Sequence, residues 1–184
     1  EEPGTGYFSY VSYKDLRKWN VDTMTSLSSA RKTLRIRECI DAFMTCEDRS
    51  LRVMPQQYPR RKFHYIGMES VEKNVGMLVD RPEVLLGEEI KSASVVVPIG
   101  YVIYGKLRPN LNKYWQNSLY KKDVICSSEF LVFDPSDRLD LPYFLAVIGS
   151  DIIQKQIAGK LAGTRMPRLS PSDFLNLELP EPNK

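Results

Sequence analysis

Residues 94–113 read SVVVPIGYVIYGKLRPNLNK, and this stretch decides the fold class. Ser94 to Tyr104 is rich in β-branched and aromatic residues, which suit a pleated, half-buried strand. Pro98-Ile99-Gly100 interrupts it as a turn or bulge would. After Tyr104 the character changes. Gly105 permits a tight turn and Pro109 stiffens the segment after it. Lys106, Arg108 and Lys113 supply cations. Asn110 and Asn112 supply amides that can contact phosphate or read a base edge. Tyr114 and Trp115 add aromatic surface.

Working outward, further strands are expected at Phe63 to Met68, at Val124 to Phe133 (closed by Asp134-Pro135) and at Leu175 to Leu179. One helix is expected to start near Pro142, a residue favoured in a first turn. Phe144, Ile148 and Ile152 share one face of it, Ile153, Ile157 and Leu161 extend the apolar side, and Gly163 is its stop. The first half is less regular. Tyr7 to Tyr13 and Leu34 to Ile36 alternate as strands do. Glu38 to Met44 fits a short helix, with Ile40, Phe43 and Met44 on one face. Trp19 reads as a packing anchor, Ser26 to Lys32 as a polar loop and Arg49 to Lys62 as an exposed basic loop. The mixture predicts an α+β fold with a curved, mostly antiparallel sheet and a few helices.

The chain has 184 residues, enough to bury its own core as one domain. Its 42% hydrophobic and 27% charged residues are those of an ordinary globular protein, which excludes wholesale disorder. No apolar run approaches the roughly 20 residues of a membrane span, and no signal-peptide pattern opens the sequence; a cytoplasmic protein is expected. Of the three cysteines, Cys39 and Cys46 lack metal-ligand spacing and Cys126 is remote. A lone histidine, His64, cannot supply a histidine-rich metal site. The net charge of +3 is unevenly spread. Residues 31–62 carry nine Lys or Arg against four acids, 104–122 carry five against none, and 154–168 carry four against none. A basic face on a weakly acidic body fits a polyanionic partner.

The motifs that resemble catalytic ones fail on inspection. Gly100 to Lys106 has P-loop spacing, but Leu107 stands where a hydroxyl must hold the metal, and the intervening residues are bulky strand formers. Asp80 with Glu89 and Lys91 resembles a metal-dependent nuclease pattern, but Glu88 and Glu89 read better as a surface turn after Gly87. Neither a glycine-rich cofactor loop for methyl transfer nor its Asn/Asp-Pro-Pro-aromatic tetrapeptide is present. No cofactor is expected.

A second rigid basic loop, Gly163-Thr164-Arg165-Met166-Pro167-Arg168-Leu169-Ser170, follows the helix. Arginine's planar fork suits guanine and phosphate alike. Together with Tyr65-Ile66-Gly67-Met68-Glu69, Ile90-Lys91-Ser92, the Gly105–Lys113 tract, Cys126 to Val132 and Leu177 to Pro182, it resembles the target-recognition domain of specificity subunits of type I restriction-modification systems. The resemblance covers residues 63–182, with 1–62 as a variable N-terminal part, and treats 1–184 as a single recognition domain.

The resemblance implies that the chain binds double-stranded DNA and leaves the chemistry to others. Such subunits carry two recognition domains, each reading half of a split site, joined by long helices that dock modification and restriction subunits. Here one domain is present and those helices are absent, so a fragment or half-length protein is expected, with a second recognition domain or a homodimer as partner. The expected DNA-facing residues are Lys106, Arg108, Asn110, Asn112, Lys113, Thr164, Arg165 and Arg168. The sequence readers are expected in variable stretches, Arg60, Arg61 and Lys62 or Val71 to Glu89. The alternatives are the recognition domain of a fused restriction-methylation enzyme, a metal-dependent nuclease, and a protein-interaction adaptor.

Overall fold

The computed structural model of the chain describes residues 32–44, 51–119, 121–161 and 166–182. The expectations for Tyr7 to Tyr13, Trp19, Cys46 and Gly163, and for the polar loop up to Arg31, lie outside the described residues. From Thr33 onward the chain forms one unit.

Its strands, in chain order, are β1 (Thr33–Arg35), β2 (Ile40–Met44), β3 (Arg52–Val53), β4 (Lys62–Ile66), β5 (Glu83–Leu86), β6 (Ser94–Val96), β7 (Val102–Gly105), β8 (Tyr114–Gln116), β9 (Val124–Ser127), β10 (Phe130–Pro135) and β11 (Glu178–Pro180). Its α-helices are α1 (Leu141–Ile148), α2 (Asp151–Lys160) and α3 (Pro171–Leu175). The strands build a four-stranded sheet in the order β2-β10-β7-β8, a five-stranded sheet in the order β3-β6-β9-β4-β5, and the pair β1-β11. Every pairing is antiparallel except β4 with β9. The α+β, mostly antiparallel expectation holds, with the strands shared among three sheets.

The apolar runs explain the layering. In β7, Val102 and Tyr104 face a core that includes Phe144, Ile148, Ile153, Ile157 and Phe174 of the helices. Ile103 faces the opposite way, into a core with Ile66, Val95, Val124 and Cys126 of the five-stranded sheet. In β10, Leu131 and Phe133 join the first core while Phe130 and Val132 join the second. A strand buried on both faces must be apolar at every position, which is why both segments read as unbroken hydrophobic runs. Phe63, Ile90 and Ile125 form a smaller third cluster.

Several local expectations change. Val124 to Phe133 is two strands, because Ser128 and Glu129 turn the chain from the five-stranded into the four-stranded sheet. The long helix is two, α1 and α2. Ser150 between them is extended, and its hydroxyl donates back to the Val147 carbonyl at 2.6 Å. That bond competes with helix continuation. Glu38 to Met44 is no helix: residues 36–38 form a 3-10 turn, and Ile40–Met44 pairs with β10. The last strand starts at Glu178, since Pro171–Leu175 is helical, capped by Ser170 Oγ accepting the Asp173 N–H at 3.0 Å. The strands at Glu83–Leu86 and Tyr114–Gln116 come in addition to those expected. The basic stretch ending at Lys62 contains β3 and a 3-10 turn at Pro55–Gln57. Among the described residues, no helix is long and apolar enough to cross a membrane.

Phe174 joins the helices to the sheet. It is fully buried, with ring centroids 5.0 Å from Tyr104, 5.3 Å from Phe133 and 6.3 Å from Phe43. Phe174→Ala is expected to cost about 3–5 kcal/mol, read as a lower midpoint in urea. Burial also pushes the Cys39 thiol from 9.0 up to about 11, against the lowering pull of Arg138. The folded state therefore holds this proton more tightly than the unfolded chain. The resulting stability is whole below pH 9 and is lost as pH rises through about 11. Urea midpoints measured across that window should fall less steeply in Cys39→Ala.

Candidate nucleic-acid interface

The two basic loops, separate in sequence, meet in space. Leu107 and Arg168 form an antiparallel bridge. The Arg108 N–H donates to the Pro167 carbonyl at 3.0 Å, and the Leu169 N–H to the Lys106 carbonyl at 2.8 Å. The Lys106 N–H donates to the Glu129 carbonyl at 2.9 Å, which adds the turn between β9 and β10 to the assembly. Residues 166–169 thus extend the edge that Gly105 leaves. Thr164 and Arg165 lie outside the described residues.

The Lys106–Lys113 loop is tightly wound. Pro109–Leu111 makes one 3-10 turn, flanked by Arg108 and Asn112, both left-handed with φ 48°. A left-handed non-glycine residue costs roughly 1–2 kcal/mol, and it persists only where the surroundings fix it. They do so here. Asn112 is 2% exposed. Its Nδ2 donates to the Gly149 carbonyl at 2.7 Å, and its Oδ1 accepts from the Tyr104 hydroxyl at 3.3 Å. That hydroxyl in turn accepts from Gln154 Nε2 at 2.8 Å. Burial pushes the Tyr104 hydroxyl well above the ordinary tyrosine range, so it stays a donor. Gly149 is required at its place: a Cβ there would sit 2.2 Å from the Tyr114 hydroxyl oxygen.

The expected contact residues therefore separate into two kinds. Arg108 and Asn110 are exposed, and among the described residues no hydrogen bond or ion pair engages either side chain. Lys106 is half-buried beside them. Asn112 departs from its expected part: its amide is spent inside the fold and positions the loop. Lys113 Nζ donates to the Met68 carbonyl, tying the loop to the segment after β4. Arg168 is 62% exposed but pairs with Glu129 at 2.9 Å. The other Glu129 oxygen is buried and, among the described residues, has no hydrogen-bond partner. Glu129 lies in the Cys126–Val132 tract but is not among the expected contact residues. It nonetheless lines an open cleft of about 390 Å³ with Lys106, Ser128, Arg168 and Ser170.

Arg60, Arg61 and Lys62 are exposed at the start of β4. Arg61 pairs with Asp123 and lies over the rings of Tyr58 and Phe63, at 5.7 and 5.4 Å. The Asp123 hydrogen bond raises its guanidinium pKa further, so it remains a cation. Arg60 and Lys62 carry no such tie among the described residues. Elsewhere, Gly100 to Lys106 runs into a strand whose residues 102–105 are all buried, the opposite of a phosphate cradle. The Glu89 carboxylate accepts the Leu86 N–H at 2.6 Å, closing the surface turn after Gly87.

No protein-family model and no curated protein matches the sequence. Solved structures do. The fold superposes on a chain from work on complex assembly and conformational transition of the type I R-M system, with a TM-score of 0.69, 25% identity and 82% of this chain covered. It also superposes on the crystal structure of the HsdS subunit from Thermoanaerobacter tengcongensis, with a TM-score of 0.67, 27% identity and 82% covered. In both cases the match takes up 37% of the other chain. The architecture is one shared with chains of type I R-M systems, among them an HsdS subunit. The likeness to type I specificity subunits read from the sequence motifs holds in three dimensions.

Asn112→Ala removes two hydrogen bonds and leaves alanine in a left-handed turn. We expect it to cost about 2–3 kcal/mol. Asn112→Gly, which relieves the backbone alone, should cost less, and the order of the two midpoints in denaturant checks the assignment.

Proposed function

We propose that this chain is the DNA-recognition part of a type I restriction-modification specificity subunit. One recognition domain, with Thr33–Lys184 as its body, reads one half of a split site in double-stranded DNA. It acts in the cytoplasm, performs no chemistry itself, and directs partner modification and restriction subunits. A second recognition domain or a second copy would supply the other half-site. The observation that carries this reading is the fold shared with HsdS over 82% of the chain, joined to a basic loop held in a strained, fixed shape. Loops of that kind lower the entropy lost on binding.

Lys106, Arg108, Asn110, Lys113, Thr164, Arg165 and Arg168 make up the DNA-facing set, with Asn112 fixing the Lys106–Lys113 loop. The cations bind phosphates and set the register; they carry no sequence information themselves. Arg60 and Lys62 are further reading candidates, with Arg61 as their anchor. The Glu129 partner of Arg168 tempers non-specific attraction, since a neutralised arginine engages phosphate only when that pair opens.

A single recognition domain makes a small interface, so binding should be weak and strongly dependent on salt. Duplex DNA binding by the chain is therefore measured against salt concentration, beside an Arg108→Ala plus Arg165→Ala variant. The slope of log affinity against log salt should shrink by about one for each arginine removed. A folded variant that binds with the parent's slope would remove these residues from the interface. Binding to a protein partner without any to duplex DNA would favour the adaptor.

A further inference from the structure

Between β4 and β5 the chain forms a small lobe that the basic loop alone does not explain. Val71 and Leu78 face each other in an antiparallel bridge, and the Glu72 N–H donates to the Met77 carbonyl at 2.8 Å. Asn74 and Gly76 take left-handed conformations, φ 63° and 72°, to turn the chain between them. Val71 is fully buried, and Leu78 packs against the same core. Three apolar residues of the lobe stand open to solvent: Val75 is 42%, Met77 60% and Val79 53% exposed. Met77 and Val79 flank the inward Leu78 as alternate residues of an extended segment do, and Val75 sits in the turn. Beside the charged Glu72 and Lys73 they give the lobe an exposed apolar surface.

The lobe is fastened to the basic loop. The Asn74 N–H donates to the Asn112 carbonyl at 3.1 Å, and Lys113 Nζ donates to the Met68 carbonyl just before the lobe. Gly76 lies against the Tyr114 ring, where a Cβ would come within 2.6 Å of Cε2. The lobe is thus fixed beside the loop that carries Arg108 and Asn110. Its own exposed charges cancel, Glu72 and Asp80 against Lys73 and Arg81. It therefore adds no attraction for phosphate, and its contribution is apolar surface of fixed shape.

We infer that Val75, Met77 and Val79 are specificity-determining residues that press against base edges in the groove when the neighbouring loop binds the backbone. The inference rests on the DNA-recognition function proposed for the chain. Apolar side chains gain nothing from phosphates. The apolar group a base pair displays in the major groove is the thymine methyl, so the lobe selects thymine at the positions it covers.

The test uses the whole chain and a randomised duplex pool, followed by the best selected duplex made with uracil in place of thymine. The parent should enrich a thymine-containing sequence and lose about fivefold in affinity on the uracil duplex. The variant V75S/M77S/V79S should be indifferent to that exchange while keeping the parent's salt slope. Its fold is checked by circular dichroism, and the uracil exchange on the parent stands even if the variant is unstable. Equal affinity of the parent for both duplexes, or equal sensitivity in parent and variant, overturns the inference while leaving DNA binding intact. Failure of the parent to bind any duplex overturns the DNA-recognition function itself. Concentration-dependent self-association that the variant abolishes, with its base selection unchanged, overturns the inference in favour of a contact between copies.

Discussion

Burial of β7 and β10 on both faces constrains everything else in the unit. A strand in that position has no solvent side, so each residue must satisfy one apolar layer or the other. Val102-Ile103-Tyr104 and Phe130-Leu131-Val132-Phe133 do so by strict alternation. Among these seven, Tyr104 alone brings a polar side-chain atom into the layer, and its hydroxyl must be satisfied. Gln154 donates to it and Asn112 accepts from it. The same amide that completes this network also fixes the turn after β7. The shape of the basic loop is thus set from the core outward, by a hydrogen bond that burial makes costly to break.

This arrangement separates affinity from positioning within one short segment. Arg108 and Asn110 project from a turn whose flanking members are engaged. Pro109 is buried, Asn112 is internal, and Lys113 is tied to Met68. The second basic segment joins through main-chain bonds, which do not depend on its side chains. Substitution of the outward residues can therefore change the partner bound while the frame stays as it is.

The fold class was legible because two-sided burial writes itself as uninterrupted hydrophobic runs, and the turn at Pro98-Ile99-Gly100 announces its own residues. Other elements were hidden for physical reasons. Ile40, Phe43 and Met44 lie on one face of a helix as readily as along a strand, and pairing with β10 decides between the two. Ser128-Glu129 has no turn glycine or proline, so the passage from one sheet to the other leaves no local mark. Tyr114–Gln116 is too short to show a period. At the site, the basic loops were legible from composition, but their meeting was not, because the Leu107–Arg168 bridge joins residues far apart in the chain. Asn110 and Asn112 are the same residue two positions apart. Only the tertiary surroundings make one an outward amide and the other an internal strut.

The pairing of β1 with β11 sets Thr33 opposite Pro180, so the unit is gripped at one point. Leu34 and Leu179 of that ribbon sit in the apolar layer that also holds Tyr104 and Phe174. Parting β1 from β11 would therefore open the layer from which the turn after β7 takes its shape, so the ribbon acts as a clasp on the whole unit.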